Sequence, residues 1–438
     1  MKIMPPPIRQ FIMERKPLIP KALLIPFVLI TSCFALWGFA NDVTNPMVKA
    51  FSKIFLMSNF QGSLVQFAFY GGYFAMAIPA AIFIKKFSYK SGILMGLALY
   101  AIGGLLFVPA SWTGQFTPFL AAYFVLTCGL SFLETSANPY ILSMGPEETA
   151  TQRLNLAQSF NPLGSLVGMF AASQFILAGL DGSDYATRQA MPEGQFEAVK
   201  MADLAVVSEP YVAIGLVILA AFVLIALVKM PKNQEEDRYI NMRSSYRRLF
   251  KIPHYREGVV AQMFYVGAQI MCWTFIIQYG TKVFVARGMG EQAAEVLSQK
   301  YNIAAMIIFG VSRFICTFLL KYIRPGALLM YLAIGGAALI SGVILSGGMA
   351  GLYCLVGASA CMSLMFPTIY GIALKGTGGD AKFAAAGLVM AILGGSILPP
   401  LQGHLIDIWN VSASFILPLI CFVVIAVFGL RVMRVHRA

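Results

Sequence analysis

SFLETSANPYILSM, residues 131–144, sets one carboxylate behind an uncharged run that begins at Ser91 and ends at Leu133. A soluble protein has little use for so long an uncharged stretch; a membrane span needs about 20 predominantly apolar residues to cross about 30 Å of hydrocarbon. Similar runs recur along the 438 residues, which are 58% hydrophobic and only 12% charged, with a mean hydropathy of +0.75. The composition is that of an all-α membrane protein. Gly, Ser and Pro at PASWTGQFTP (109–118) and SGGMAG (346–351) break the two longest runs, and one span passes through the isolated Arg313. Twelve membrane helices result, at about 22–45, 57–84, 91–110, 118–143, 153–180, 210–230, 257–284, 300–321, 325–346, 350–374, 381–406 and 412–433.

The basic segment after the sixth helix divides the chain into a 1–21 N-terminal segment, a 22–230 six-helix bundle, a 231–256 linker, a 257–433 six-helix bundle and a 434–438 tail. The two halves echo one another in order. FALWGF (34–39) matches MCWTFI (271–276), IKKFSYKSG (84–92) matches LKYIRPG (320–326), and NPYI (138–141) matches FPTI (366–369). With both termini cytoplasmic, the cytoplasmic segments hold 24 of the 32 Lys and Arg, the positive-inside pattern. This distribution explains the net charge of +13 without nucleic acid as a partner. No removable signal peptide is expected; the first helix itself serves for insertion. All seven cysteines lie in apolar spans without CxxC spacing and read as small hydrophobes. The three histidines form no cluster, so neither a metal nor another cofactor is expected.

A carboxylate at mid-membrane costs about 2.5–3.5 kcal/mol on insertion scales, so Glu134 should face a cavity or a partner and do a job there. Binding and releasing a proton is the job that burial suits it for; the bland alternative is an ion pair with Arg313 that locks the halves together. Around it the amides fall on helical stripes: Asn155, Gln158 and Asn161 on the fifth helix, Gln66, Tyr70 and Tyr73 on the second, Gln262, Tyr265, Gln269 and Trp273 on the seventh. FANDVTNP closes the first helix with Asp42 and Asn45 one turn apart. Asn138 shares a face with Glu134. Amides present paired donors and acceptors that match vicinal hydroxyls, and Trp37 and Trp273 offer faces for the C–H side of a pyranose. A neutral polyhydroxyl ligand suits this set. A cavity for phosphates would want more than one intramembrane Arg, and one for organic cations more acids.

Together LETSANP (133–139), RLNLAQSFN (153–161), NFQGSLVQFAFYGGYF (59–74), YVGAQIMCW (265–273) and MFPTIY (365–370) resemble the bacterial fucose/galactose/glucose:proton symporters, the fucose type above all, within the major facilitator superfamily. The resemblance runs from about Pro26 through the twelfth helix. It implies two pseudo-symmetric six-helix bundles rocking about a central sugar site, proton coupling, no cofactor, a bacterial inner-membrane location and a monomer. It assigns proton handling and sugar binding to Glu134, and substrate contacts to Gln158, Asn161 and Arg313. The chain departs from the family in two places. NDVTN (41–45) has its acid at Asp42 and an amide at Asn45, where the family has the acid at the later position, so Asp42 is expected to take over coupling. Phe366 stands where the family has a tyrosine. The remaining site residues expected from the stripes are Asn138, Gln66, Tyr70, Gln269, Trp273 and Trp37. A proton-independent sugar facilitator and a drug:proton antiporter are the alternatives, and no enzyme is expected because no nucleophile–base pair or phosphate loop is present.

Overall fold

A computed structural model of the chain describes residues 17–44, 47–57, 59–171, 175–176, 179–181, 183, 185–230 and 242–435. The described residues are helical throughout their regular elements, and eleven helices among them are long and apolar enough to cross a bilayer. In chain order the membrane helices are α1 (Leu24–Thr44), α2 (Asn59–Lys86), α3 (Tyr89–Leu105), α4 (Thr117–Ser143), α5 (Ala150–Gln158 and Asn161–Ala171), α6 (Glu193–Leu227), α7 (Pro253–Val285), α8 (Glu291–Leu319), α9 (Pro325–Ser346), α10 (Gly348–Met362 and Met365–Leu374), α11 (Ala381–Met390, continuing through Gly394–Ile408) and α12 (Ile416–Val435). A linker helix, Met242–Leu249, precedes α7.

The twelfth expected span is α5, which is interrupted. Pro162 has no N–H, so it cannot bond the carbonyl of Gln158 four residues back. The chain turns at Ser159 and Phe160 before the helix resumes at Asn161. Pro367 acts the same way in α10, where the break falls at Ser363 and Leu364. The second difference is α6. Hydropathy places its start at Pro210, but the helix begins at Glu193. EGQFEAVKMADLAVVSE (193–209) is rich in Ala, Glu, Met, Lys and Leu, good helix formers whose charges hide the helix from a hydropathy reading. A buried ion pair from Arg188 to Asp203, 2.6 Å long, ties the preceding segment to this extension.

Small residues let the helices of each bundle approach closely, as membrane packing requires where lipid supplies no hydrophobic drive. Gly164 and Gly168 of α5 seat against the backbone of Ala35 and Phe39 on α1, and Gly38 of α1 against that of Asn161. Gly96 of α3 and Gly129 of α4 meet backbone to backbone. Gly394 and Gly429 play the same part for α11 against α7 and for α12 against α9. Leu216, Leu224, Leu227, Val423 and Val427 are exposed on the outer surface, as befits helices that are apolar all round.

The two bundles meet at one end of the molecule, which carries Lys85, Lys86, Lys90 and Lys382 and is called here the basic end. There Lys85 of α2 lies 5.5 Å from the ring centroid of Phe383 on α11. Lys382 of α11 lies 5.2 Å from that of Tyr89 on α3. Both ammonium groups are buried, so each bundle sends one cation onto an aromatic face of the other.

Gly164→Leu would drive a side chain into the Ala35 carbonyl, and overpacking of this kind costs about 1–3 kcal/mol. A lowered thermal unfolding midpoint in detergent is expected. Gly71→Ala, where nothing lies within 4 Å of the new Cβ, should leave the midpoint unchanged or slightly raised.

Candidate functional site

The proline breaks create the first part of the site. Pro162 frees the carbonyl of Gln158 on α5, and Pro367 frees that of Ser363 on α10. Arg313 of α8 supplies both missing donors: its Nε donates to the Ser363 carbonyl at 2.5 Å and one terminal nitrogen to the Gln158 carbonyl at 3.0 Å. Its guanidinium also stacks 4.6 Å from the Phe309 ring. One buried side chain thus completes two broken helices that belong to different bundles. The ion pair with Glu134 raised by the sequence is not formed.

Glu134, on α4, is fully buried, and neither carboxyl oxygen has a hydrogen-bond partner among the described residues. Two phenols lie within its electrostatic reach, Tyr73 of α2 from its own bundle and Tyr370 of α10 from the other. An uncompensated charge in such a place is costly. The cation that the sequence offers it, Arg313, is committed to the two backbone carbonyls instead.

The amides form a ladder beside it. Gln158 donates to the Asn138 side-chain oxygen at 2.8 Å, and Asn138 in turn donates to the Glu134 backbone carbonyl at 3.1 Å. Asn161, half-buried, donates to the Phe34 carbonyl of α1 at 3.2 Å. Towards the end opposite the basic one, Trp37 donates to the Tyr73 hydroxyl at 2.6 Å. Tyr70, one turn from Tyr73 on α2, is half-buried and lies within electrostatic reach of Asp42. A series of groups, Asp42, Tyr70, Tyr73 and Glu134, therefore leads from the half-exposed end of α1 to the buried carboxyl.

The second bundle contributes Trp273, which donates to Ser359 at 3.2 Å and packs edge-on to Phe309 at 4.9 Å. Gln269 is half-buried one turn earlier on α7. The Phe366 ring lies 6.2 Å from both Tyr265 and Tyr370. Among the expected site residues, Asn45 lies outside the described residues, and only the backbone of Gln66 is described, within α2. Of the others, Arg313 and Gln158 meet across the two bundles, Gln158 and Asn138 join within the first, and Trp37 and Trp273 make their contacts within their own bundles.

Several contacts close this junction towards the basic end. Asn155 donates to Thr368 at 3.2 Å, Gln152 to the Thr317 carbonyl at 3.2 Å, and Ser159 and Thr317 share a hydrogen bond at 3.4 Å. Thr317 and Thr368 carry part of this closure, and Tyr370 lies near Glu134, yet no stripe singled them out. Threonine and tyrosine are ordinary in membrane helices, and only the places of Thr317 one turn after Arg313, Thr368 next to Pro367 and Tyr370 one turn after Pro367 could have drawn attention to them.

The model of the Major Facilitator Superfamily matches residues 29–392. The chain belongs to the major facilitator superfamily. This superfamily member is 52% identical over 427 residues to the L-fucose-proton symporter of Haemophilus influenzae, covering 95% of this chain and 98% of the relative. It is 31% identical to a glucose/galactose transporter of Brucella abortus, covering 92% of each. In structure it superposes on the crystal structure of the major facilitator transporter FucP in the outward conformation with a TM-score of 0.86 at 36% identity, covering 94% of this chain and 99% of that one. The proton:xylose symporter XylE, 14% identical with a TM-score of 0.64, shares the fold. The chain is a multi-pass membrane transporter and not an enzyme.

A Cβ on Gly371 would lie 3.0 Å from the Thr151 hydroxyl across the bundle junction, within disulfide range. Thr151→Cys combined with Gly371→Cys is expected to cross-link on oxidation and to arrest transport, with reductant restoring it. Adding Arg313→Met, which leaves two buried carbonyls unpaired at about 1–3 kcal/mol each, should lower the cross-linking yield seen on gels.

Proposed function

We propose that this chain is a proton-coupled symporter that imports a neutral monosaccharide, L-fucose or a close relative, by alternating access. The observation that carries the reading is Glu134: it is buried where the bundles meet and has no hydrogen-bond partner for either oxygen among the described residues. Its setting is a chain 52% identical to a protein named as an L-fucose-proton symporter. On this reading Glu134 and Asp42 handle the proton. Gln158, Asn161, Asn138, Gln66, Tyr70, Gln269, Trp273, Trp37, Asn45, Phe366 and Arg313 surround the sugar.

The conformation faces outward. Hydrogen bonds through Asn155, Gln152, Ser159 and Arg313 hold the basic end shut, while Asp42, Tyr70, Asn161, Gln269 and Trp273 are only half-buried. A proton entering past Asp42 and the Tyr70–Tyr73 pair reaches Glu134. The neutral carboxylic acid then removes the cost of moving a charge through the membrane interior, and sugar held by the amides brings the bundles together on the open side. Rupture of the basic-end contacts opens the site inward. One proton moving down 100 mV releases about 2.3 kcal/mol, enough at about 1.4 kcal/mol per tenfold for roughly fifty-fold accumulation.

The basic end is the cytoplasmic one by the positive-inside rule, which puts both termini in the cytoplasm of a bacterial inner-membrane protein and divides the monomer into bundles 22–230 and 257–433 about the linker 231–256. No cofactor takes part besides the coupling proton. A sugar facilitator without protons is the second reading, favoured by the amide at Asn45.

Proteoliposomes holding the protein, given a panel of sugars with no imposed gradient, test the proposal. External alkalinisation on adding L-fucose or a related sugar is expected; labelled uptake with no pH change would support the facilitator. Asp42→Asn is expected to retain sugar exchange at equilibrium and lose accumulation against a gradient. Normal accumulation by this variant would remove Asp42 from the coupling path.

A further inference from the structure

Between residues 242 and 252, MRSSYRRLFKI holds four cations and no acid. Most of this segment is the linker helix, Met242–Leu249, and its two faces differ. Ser245 and Leu249 are buried against the second bundle, and Tyr246 packs 5.8 Å from Phe383 of α11. Arg248 fixes the helix in rotation through a two-pronged contact with Asp380, at 2.7 and 2.8 Å. The opposite face presents Arg243, Arg247, Phe250 and Lys251, all exposed. Their spacing of four, three and one residues lines them along a single stripe. Phe250 is 58% exposed and lies three residues before α7 begins at Pro253.

An exposed aromatic ring flanked by three cations at the foot of a membrane helix has the chemistry of a headgroup boundary: the ring enters the acyl edge and the cations meet phosphates. We propose that this stripe binds the anionic phospholipid headgroups of the inner leaflet. The assignment to that leaflet rests on the orientation given above; binding itself does not depend on which sugar is carried. Asp380, held by Arg248, also lies within electrostatic reach of Lys85 on the other bundle, so headgroups seated on the stripe pin the helix that adjoins the inter-bundle cation–aromatic contacts.

Native mass spectrometry of the full chain in detergent, titrated with phosphatidylglycerol, tests the proposal. At about 1 kcal/mol per cation near an anionic surface, each removal weakens association about five-fold. Combined Arg243→Gln, Arg247→Gln and Lys251→Gln should therefore reduce retained phosphatidylglycerol by about a hundred-fold, while Arg324→Gln, at another basic-end loop, should leave most of it bound. Inorganic phosphate at equal concentration should fail to displace the lipid. Equal retention by the triple variant, an equal loss in Arg324→Gln, or complete displacement by phosphate would each overturn it. None of these results involves sugar, so the transport reading is tested separately.

Discussion

Arg313 satisfies two backbone carbonyls that prolines have left without partners, and the closed arrangement of the bundles depends on it. In a bilayer no water is at hand to cap a broken helix, so each exposed carbonyl needs a partner within the protein. Pro162 and Pro367 each remove one bond, in α5 and in α10, and the guanidinium of α8 reaches both freed oxygens. The bond to Ser363 stays within the second bundle, whereas the one to Gln158 crosses to the first, so the break in α5 is satisfied by Arg313 only while the bundles touch. Arginine suits the place because its planar fork keeps its charge and presents several fixed donors, which a lysine does not.

Tying helix completion to bundle contact also explains why the site residues cluster there. The breaks let α5 and α10 turn polar side chains towards the junction, which puts Gln158, Asn138 and Glu134 within one ladder and Tyr370 within reach of Glu134 from the other side. A carboxyl so placed senses both bundles. On the proposed function its proton alters the cost of keeping it dry, and the same junction must separate when the basic end opens. On the same proposal, proton and sugar are coupled by sharing one interface rather than one bond.

The membrane class and twelve helices were legible in the uncharged runs, and the six-plus-six division in the ordered echoes between halves. The polar stripes supplied most residues of the proposed site because amides three residues apart share a helical face. The break in α5 could have been read from Pro162, but the helix resumes after only two residues, so a reading of spans runs the two segments together. The early start of α6 was hidden because Glu193, Glu197, Lys200 and Asp203 read as loop on a hydropathy scale. The partners of Arg313 were out of sight for a plainer reason: sequence shows side-chain charges, which made Glu134 the one alternative partner to weigh, and does not show freed carbonyls. The closing contacts of Thr317 and Thr368 depend on tertiary placement that no spacing within one helix reveals.

Glu134→Gln keeps the size and burial of the side chain and removes only its ability to take up and release a proton, which makes it the most direct measure of the coupling role given to this residue. In proteoliposomes, the ratio of active accumulation to sugar exchange at equilibrium should fall to that of uncoupled transport, with exchange itself preserved. A variant that still accumulates sugar against its gradient as well as the unmodified protein would contradict the placement of the proton on Glu134.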